Sequence, residues 1–418
     1  MITLKVLGGC SEIGRNCFIL EWNDGIIMLD CGVKREMHDN HIGEYPLLTR
    51  GIAERLQAVF LSHAFLDHSG ALPLLYHLGY KGNIYTSDET INVVDSFTHK
   101  WSHFVDEQQG TLPFAQEDMA ALRFHTVQPG VNRIQGLTVI SGRAGRMLGS
   151  LWFLFEINNQ RIFYCSDSVL NPYLLKRDPP PTADIAIYCC SDAGRHLIND
   201  AAIQDLLETI EDITDRDGKV LLPVPSRGRS AALYQVLTLQ APDIPLYVDK
   251  IILDNLKLLA LKTDWAKPFS YIEQNTTIHV IRSDEDRQAA CDSPDGAIIL
   301  ANDGMLTAHS GVYYLQHLGQ DADNMVIFTG HAAVGTPAQL LFDETYCHDH
   351  NLNIQKMTIP FKLHLDDDDV ITLNDQVQAK KVVLVHTEKK AASNLLKRLS
   401  QTGVEAICPA LNESWELA

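Results

Sequence analysis

The sequence predicts an α/β fold, and three observations lead to that prediction. Strand-like runs fill the opening third, strand and helix alternate from Ala183 onward, and one short apolar run stops at a cluster of polar residues. Alternation of strand and helix indicates a parallel sheet with crossover helices. A polar cluster past the carboxyl end of a strand is where open α/β sheets place their chemistry.

Length and composition narrow the class of protein. At 418 residues, of which 45% are hydrophobic, the chain predicts two domains or one large domain with an insertion. The formal net charge is -19, from 34 Lys plus Arg against 53 Asp plus Glu. This balance argues against unspecific attraction to phosphate, although it leaves room for a local basic groove.

The sequence carries no signal for a membrane or a disulfide framework. No stretch approaches the roughly 20 apolar residues of a membrane span, and the first residues run directly into a strand. The 9 cysteines are scattered without a Cys-x-x-Cys pair, so we expect reduced, buried thiols. We therefore expect a soluble cytoplasmic protein with no membrane partner.

Strands separated by Gly, Asn and Asp dominate the first part of the chain. We expect strands at 3–9, 16–22, 25–32, 58–63, 122–127, 137–141, 150–157 and 161–166, with helices at 71–78 and 89–105. The later strands, from 122 to 166, form a β-rich block of the kind found in one half of a sheet sandwich. The proline-rich stretch 177–181 is expected to be a hinge.

Strand and helix alternate in the rest of the chain. The expected strands are 184–191, 219–224, 244–249, 298–302, 325–330 and 381–386, and the expected helices are 200–213, 228–239 and 389–400. Four acids in a row, Asp366 to Asp369, are expected to lie mostly in a solvated loop.

The stretch AVFLSHAFLDHSG, residues 58–70, carries the clearest chemistry. The apolar run ends in Ser62, and His63, Asp67 and His68 follow within a few residues. Imidazole and carboxylate groups this close together are the ligands that zinc prefers, and the residues after Gly70 begin a helix that supports the loop. The sequence therefore predicts a metal site here.

The stretch resembles the signature loop of the metallo-β-lactamase fold, His-x-His-x-Asp-His, except that Phe65 replaces the second His. Across nearly the whole chain the pattern resembles the β-CASP branch of metallo-β-lactamase-fold nucleases, which includes RNase J and the mRNA 3′-end endonuclease. Three further stretches carry the resemblance, LLPVPSRGRSAALYQVL at 221–237, LANDGMLTAHSG at 300–311 and FTGHAAVGT at 328–336.

The resemblance implies an αββα metallo-β-lactamase sandwich with an inserted β-CASP α/β domain. We assign residues 1–194 to the first part of the sandwich domain, 195–321 to the insertion, and 322–418 to the closing part of the sandwich domain. The substrate cleft is expected between the two domains.

The resemblance also implies a metal set that is only half complete. One site keeps all of its ligands, Asp67, His68, the bridging Asp167 and His386. The other keeps only His63, because Phe65 and Arg146 stand where the family has His, and a guanidinium is no ligand. We expect at most one tightly held divalent metal, zinc first and manganese or iron as alternatives. The alternative is a relic site that keeps the ligand types and binds nothing.

Three residues are candidates for catalysis. His364, in KLHLDDD, matches the catalytic-domain His of the family and is expected to act as general acid. Arg146 is expected to supply the positive charge of the missing metal, or else to fill a dead site as an ion pair. His63 is a base or an extra ligand, or simply a hydrogen-bonded structural residue. Cys189 or Cys190 replaces an acidic residue of the family.

Four residues are candidates for substrate binding, three in the expected insertion and His331 just after it. Arg229 and Ser226 lie at a predicted helix start, where backbone amides help to hold a phosphate or carboxylate. His309 and His331 stand where the family has Gly and Tyr, which indicates a pocket reshaped for another substrate. Ordinary surface histidines are the alternative.

Three functions follow. The first is a single-metal hydrolase that is either nuclease-like, acting on a phosphodiester such as RNA, or repurposed to a small, phosphate-bearing or peptide-like substrate. The second is an inactive β-CASP subunit that binds RNA or an active relative, alone or as a homodimer. The third is a mononuclear iron enzyme, since two His plus carboxylate is also an iron set.

Overall fold

The computed structural model describes residues 1–38, 41–269, 277–330, 332–333 and 335–418. The chain divides into two compact units, one made of Met1–His196 and His364–Ala418, the other of Leu197–Leu363. Among the helices of the described residues, none has the length and apolar character needed to span a membrane.

The first unit takes most of its elements from the amino-terminal part of the chain. They are β1 (Ile2–Gly8), β2 (Cys17–Trp22), β3 (Gly25–Leu29), β4 (Lys34–His38), β5 (His41–Glu44), α1 (Arg50–Ala53), β6 (Ala58–Phe60), α2 (Leu66–Ser69), α3 (Leu72–His77), β7 (Ile84–Thr86), α4 (Asp88–Glu107), α5 (Gln116–Ala120), β8 (Phe124–Thr126), β9 (Gly130–Ile134), β10 (Leu137–Arg143), β11 (Leu151–Ile157), β12 (Gln160–Cys165) and β13 (Ile185–Cys189).

The second unit follows, and the chain then returns to the first. The second unit contains α6 (Asn199–Thr214), β14 (Lys219–Val224), α7 (Arg229–Gln240), β15 (Leu246–Asp249), α8 (Lys250–Ala260), β16 (Ile278–Ile281), α9 (Asp284–Cys291), β17 (Ala297–Asn302), α10 (His309–Leu318), β18 (Met325–Phe328), α11 (Pro337–Leu340), α12 (Glu344–Asp349) and β19 (Gln355–Thr358). The returning chain adds α13 (Asp367–Val377), β20 (Lys381–Val385), α14 (Ser393–Gln401), β21 (Glu405–Ile407) and β22 (Ser414–Glu416).

The first unit is an αββα sandwich. Its sheets have the strand orders β22-β1-β2-β3-β6-β7-β8 and β21-β20-β13-β12-β11-β10-β9. They pack face to face through aromatic rings, since Phe60 of β6 lies 5.5 Å from Phe153 and 4.9 Å from Phe155 of β11. Apolar side chains of α3 and α4 cover the outer face of one sheet, and those of α13 and α14 cover the other.

Parallel strands bring the informative loops to one edge of this sandwich. Strand β6 runs parallel to β3, and β12, β13 and β20 run parallel to one another. The carboxyl ends of parallel strands lie at the same edge of a sheet, and the predicted metal-binding residues follow three of these strands. This topology therefore places them close together.

The second unit has a six-stranded parallel sheet with the order β16-β15-β17-β14-β18-β19. Strand β18 pairs with β14, and β19 pairs with β18. Residues 322–363, assigned from the sequence to the closing part of the sandwich domain, therefore complete the sheet of the second unit. The chain returns to the sandwich at His364.

Two local expectations were wrong. The stretch 177–181 lies inside the first unit, and it is anchored because Asp178 accepts hydrogen bonds from the backbone N–H and the Nε of Arg143, at 2.8 and 2.9 Å. The acidic run is the start of α13, since the Asp366 side chain accepts from the N–H of Asp369 and caps the helix.

Candidate metal centre

Four side chains meet at the edge of the sandwich where β6, β12 and β20 end. Asp67 and His68 lie on α2, directly after β6, while Asp167 follows β12 and His386 follows β20. Each offers one ligand atom, and these atoms all lie within 4.8 Å of one another. His68, Asp167 and His386 are buried, and Asp67 is half-buried.

The spacing of these atoms fits a metal ion. His68 Nε2 lies 3.6 Å from an oxygen of Asp67 and 3.6 Å from Oδ1 of Asp167. His386 Nε2 lies 3.5 Å from Asp67, and its Nδ1 lies 3.3 Å from Asp167 Oδ1. A tetrahedral zinc with bonds of about 2.1 Å separates neighbouring ligands by about 3.4 Å. Asp167 Oδ1 is also buried without a hydrogen-bond partner in the described part of the chain.

Asp30 holds His68 from behind the site. Its Oδ2 accepts a hydrogen bond from His68 Nδ1 at 2.7 Å and another from the hydroxyl of Tyr164 at 2.6 Å. Its Oδ1 accepts from the N–H of Ser62 at 2.7 Å. Because Nδ1 carries the hydrogen of that bond, Nε2 of His68 is turned toward the other ligands, which is how proteins orient a metal-binding imidazole.

Asn16 touches both imidazoles of the site. Its side-chain amide nitrogen lies 3.1 Å from His68 Nε2 and 3.0 Å from His386 Nδ1, and it donates to the carbonyl of Asp67 at 3.1 Å. The Asn16 amide therefore contacts the side chains of His68 and His386 and the backbone of Asp67.

The second oxygen of Asp167 faces a different group. His364 Nε2 lies 3.0 Å from Asp167 Oδ2, Arg146 Nε 3.5 Å and His63 Nε2 3.8 Å. His364 Nδ1 lies 3.9 Å from a carboxylate oxygen of Asp192, which follows β13. Asp167 therefore contacts the other candidate ligands through Oδ1 and the side chains of His364, Arg146 and His63 through Oδ2.

Arg146 fills the place beside His63. Its guanidinium carbon lies 4.8 Å from the ring centre of Phe65, a cation–π contact, and its side chain is only 11% exposed. Among the described residues, neither Arg146 Nε nor His63 Nε2 has a hydrogen-bond partner. Both atoms are therefore buried polar groups that a bound ligand or water would satisfy.

The charges of the site follow from burial and mutual contact. Burial by itself lowers the pKa of His68, but Asp67, Asp167 and Asp30 outweigh it and raise this pKa well above its usual value. Burial disfavours the charged form of Asp167, yet His364 and His68 hold its pKa well below the usual range. Burial and then His68 lower the pKa of His63. His63 is therefore neutral, and Asp167 is ionised.

Cys189 and Cys190 do not enter this chemistry as reactive thiols. Both are fully buried, and burial raises the pKa of each thiol well above its usual value. A protonated, inaccessible thiol is a poor nucleophile and a poor ligand. The acid beside Nδ1 of His364 is instead Asp192, two residues beyond Cys190.

The predicted substrate-binding residues lie in the second unit. Ser226 is in the turn after β14, where its carbonyl accepts from Asn255 at 2.9 Å, and Arg229 begins α7 with Nη1 3.4 Å from Thr329 Oγ1. His309 begins α10 and lies 2.9 Å from a carboxylate oxygen of Asp284. His331 falls outside the described residues.

Comparison with known proteins finds two family models and several relatives that match the chain. A model of the Beta-Casp domain matches residues 232–341, and a model described as the Zn-dependent metallo-hydrolase RNA specificity domain matches residues 349–409. Both matches confirm the predicted resemblance to the β-CASP branch of the metallo-β-lactamase fold. The chain is 26% identical to the protein named Probable RNase MJ4 of Methanocaldococcus jannaschii, over 97% of this chain and 98% of that protein.

Other relatives are longer than this chain. The chain is 27% identical to Transcription termination factor FttA of the same organism, over 80% of this chain and 57% of that factor. It is 23% identical to Integrator complex subunit 11 of Danio rerio, over 99% of this chain and 74% of that subunit. A crystal structure of a protein of unknown function from Enterococcus faecalis V583 shares the fold, with a TM-score of 0.65, 13% identity and 99% coverage of both chains.

Several side chains of this site were not predicted from the sequence. Asp30, Asn16 and Asp192 were not among the candidates, although each touches one that was. Asp30 ends an apolar run just as Ser62 does, so the strand-end signal was present for it. Asn16 and Asp192 have no comparable signal, because only the fold shows which imidazole lies beside them.

Proposed function

We propose that this β-CASP protein is a metal-dependent hydrolase of RNA that holds one metal and uses Arg146 in place of the second. The observation that carries the proposal is the two-sided environment of Asp167. Its Oδ1 lies 3.3 Å from His386 Nδ1 and 3.6 Å from His68 Nε2. Its Oδ2 lies 3.5 Å from Arg146 Nε. In the two-metal arrangement of the family an Asp bridges two cations, and here one of them would be a guanidinium.

RNA is the substrate class that the relatives favour. One matching family model is described as an RNA specificity domain, and one relative is named as an RNase. Zinc is the first candidate for the metal because the matching domain is described as Zn-dependent and two His with two carboxylates suit it. A metal held by Asp67, His68, Asp167 and His386 would supply a Lewis acid and an activated water.

Arg146 would bind the scissile phosphate. Its Nε is buried, points at the Asp167 side of the pocket and has no hydrogen-bond partner among the described residues. The ring of Phe65 under the guanidinium limits its movement, so the charge is held ready for a phosphate oxygen. This is electrostatic stabilisation without proton transfer, since the guanidinium keeps its protons.

His63 and His364 would move the protons. His63 is neutral, with Nδ1 2.9 Å from the Ser62 hydroxyl and Nε2 buried 3.8 Å from Asp167 Oδ2, so Nε2 can take a proton from a water held between them. His364 is partly exposed, contacts Asp167 through Nε2, and would donate a proton to the leaving oxygen.

Elemental analysis of protein purified without added metal tests the proposal first. We expect about one equivalent of zinc, manganese or iron, lost in the double variant His68→Ala, His386→Ala. The matched control is His99→Ala, His103→Ala, which removes two exposed imidazoles from α4. The same samples are assayed on labelled RNA and on bis(p-nitrophenyl) phosphate.

Each outcome decides between the candidate functions. One equivalent together with hydrolysis that the ligand variant loses supports the hydrolase, and the identity of the metal decides between a zinc and an iron enzyme. A metal-free, inactive wild-type protein that still binds RNA would instead be a binding subunit. A native protein that hydrolyses RNA equally well after loss of the ligands would contradict the assigned site.

A further inference from the structure

The hydroxyl of Ser62 lies between an imidazole and a carboxylate. Its Oγ is 2.9 Å from Nδ1 of His63 and 2.8 Å from Oδ2 of Asp30. All three side chains are fully buried. The backbone N–H of Ser62 also donates to Oδ1 of Asp30 at 2.7 Å, which fixes the hydroxyl and the carboxylate relative to each other.

The hydrogens around Ser62 can be assigned by counting donors and acceptors. A carboxylate only accepts, and Oδ2 of Asp30 already takes hydrogen bonds from the Tyr164 hydroxyl at 2.6 Å and from His68 Nδ1 at 2.7 Å. The hydroxyl of Ser166, 2.8 Å from Ser62 Oγ, is a neutral and therefore weaker acceptor. The single hydrogen of the Ser62 hydroxyl accordingly goes to Asp30, and its oxygen lone pairs remain for other donors.

This assignment decides which nitrogen of His63 carries the hydrogen. Burial and then His68 lower the pKa of His63, so the ring is neutral and has one hydrogen. Because Ser62 Oγ can only accept from the ring, that hydrogen is on Nδ1 and the lone pair is on Nε2. Among the described residues Nε2 has no hydrogen-bond partner, and it lies 3.8 Å from Oδ2 of Asp167.

We propose that Ser62 is a positioning residue that fixes His63 in the tautomer of a general base. The inference rests on the proposed function and deepens it by naming the group that orients the base. Asp30, Ser62 and His63 form a chain of carboxylate, hydroxyl and imidazole, and a third group that orients the base is a recurrent part of catalytic sites. An O–H bond of the attacking water breaks, its proton goes to Nε2, and Nδ1 keeps its hydrogen.

One carboxylate therefore orients both imidazoles that follow β6. Asp30 accepts directly from Nδ1 of His68 and reaches Nδ1 of His63 through Ser62. The two Nε2 atoms lie 3.6 and 3.8 Å from the oxygens of Asp167. Loss of the Ser62 hydroxyl leaves the bond to His68 in place but takes the acceptor from His63 Nδ1. The carboxylate of Asp167 then favours a hydrogen on Nε2.

Nitrogen-15 NMR of the full chain, labelled at histidine, reports the tautomer directly. The signals of His63 are identified among the 17 histidines by their loss in His63→Ala. The wild type is compared with Ser62→Ala, with the conservative variant Ser62→Thr and with the control Ser69→Ala. Ser69 is also buried, and its hydroxyl donates to the carbonyls of Ala64 and Phe65. Zinc content at saturation and kcat for bis(p-nitrophenyl) phosphate are measured on the same samples.

We expect the hydrogen of His63 on Nδ1 in the wild type, in Ser62→Thr and in Ser69→Ala, and on Nε2 in Ser62→Ala. The kcat should fall about 100-fold in Ser62→Ala, because a protonated Nε2 cannot accept the proton of the water. Ser62→Thr should recover most of this loss, since it restores the hydroxyl. Zinc content at saturation should be the same in the wild type and in the three serine variants.

The wild type alone is enough to overturn the inference, since a hydrogen on Nε2 of its His63 would contradict the assignment. An unchanged tautomer in Ser62→Ala would also overturn it, and a changed tautomer with unchanged kcat would show that His63 is not the base. Failure of the proposed function is a separate result, because the tautomer is measured without turnover. An inactive wild type with its hydrogen on Nδ1 removes the hydrolase and leaves the tautomer assignment standing.

Discussion

The guanidinium of Arg146 is stacked on the ring of Phe65, with 4.8 Å between the guanidinium carbon and the ring centre. Each of these residues stands where the family pattern has a metal-binding His, and neither can bind a metal. Together they place a fixed positive charge 3.5 Å from Asp167. We propose that the two replacements act together, with the charge of Arg146 in the place of a bound metal ion.

The double variant Phe65→His, Arg146→His should gain a second equivalent of metal, because it restores two imidazoles beside His63. Neither single variant should gain it, since one residue of the stacked pair would remain without its partner and the donor set would stay incomplete. Metal content by elemental analysis is the measurement. A second equivalent in either single variant, or none in the double variant, would contradict the pairing.

Asp30→Asn should weaken both metal binding and folding. The substitution removes the buried carboxylate that accepts hydrogen bonds from His68, Tyr164 and Ser62. We expect a 10- to 100-fold loss of metal affinity and a free energy of unfolding lower by about 3 kcal/mol. Zinc competition with a chelator and denaturant unfolding measure the two effects. Asp24→Asn, at an exposed turn, is the control and should change neither.

A pair of glycines tests how tightly the backbone of the site is packed. A Cβ on Gly32 would lie 1.8 Å from the carbonyl oxygen of Asp67, so Gly32→Ala must displace the loop that carries Asp67 and His68. We expect a loss of about 1–3 kcal/mol in unfolding free energy and reduced metal content. Gly51→Ala has nothing within 4 Å in helix α1 and should be neutral or stabilising by up to about 1 kcal/mol. Equal behaviour of the two variants would argue against the tight packing.

The bond between Asp178 and Arg143 should give stability that disappears in acid. Burial disfavours the charged form of Asp178, but hydrogen bonds from Arg143 hold its pKa below the usual value. The carboxylate therefore stabilises the fold above the unfolded pKa of about 4, and this contribution is lost as pH falls through the lower folded pKa. Asp178→Asn should cost about 1–2 kcal/mol at pH 7 and little near pH 2. If the difference in unfolding free energy between Asp178→Asn and the wild type grew as the pH fell, the result would contradict this prediction.

Elements of the sandwich that have a clear local sequence pattern were predicted well. Strands with apolar runs and the 20-residue helix α4, capped by the Ser87 side chain, were located to within a few residues. The start of α13 was missed because four consecutive acids look solvated, although an Asp three residues before another Asp is also a capping pattern.

Features that depend on long-range pairing were less predictable. The return to the sandwich was placed at 322 instead of 364, because β18 looks like any buried strand and only its pairing with β14 assigns it to the second unit. In the same way, the ligand types could be read from the sequence, but the contact of Asn16 with His68 and His386 could not. These contacts join residues 52 and 370 positions apart.

The order of the chain has a consequence for its synthesis. Asp67, His68 and Asp167 are translated before the second unit, and His386 is translated only after it. While Leu197–Leu363 emerges from the ribosome, the nascent sandwich has three of the four ligands and lacks strand β20, the neighbour of β13 in its sheet. The four side chains can therefore come together only after the inserted unit has been made, so a chain truncated within that unit lacks His386 and cannot assemble the full cluster.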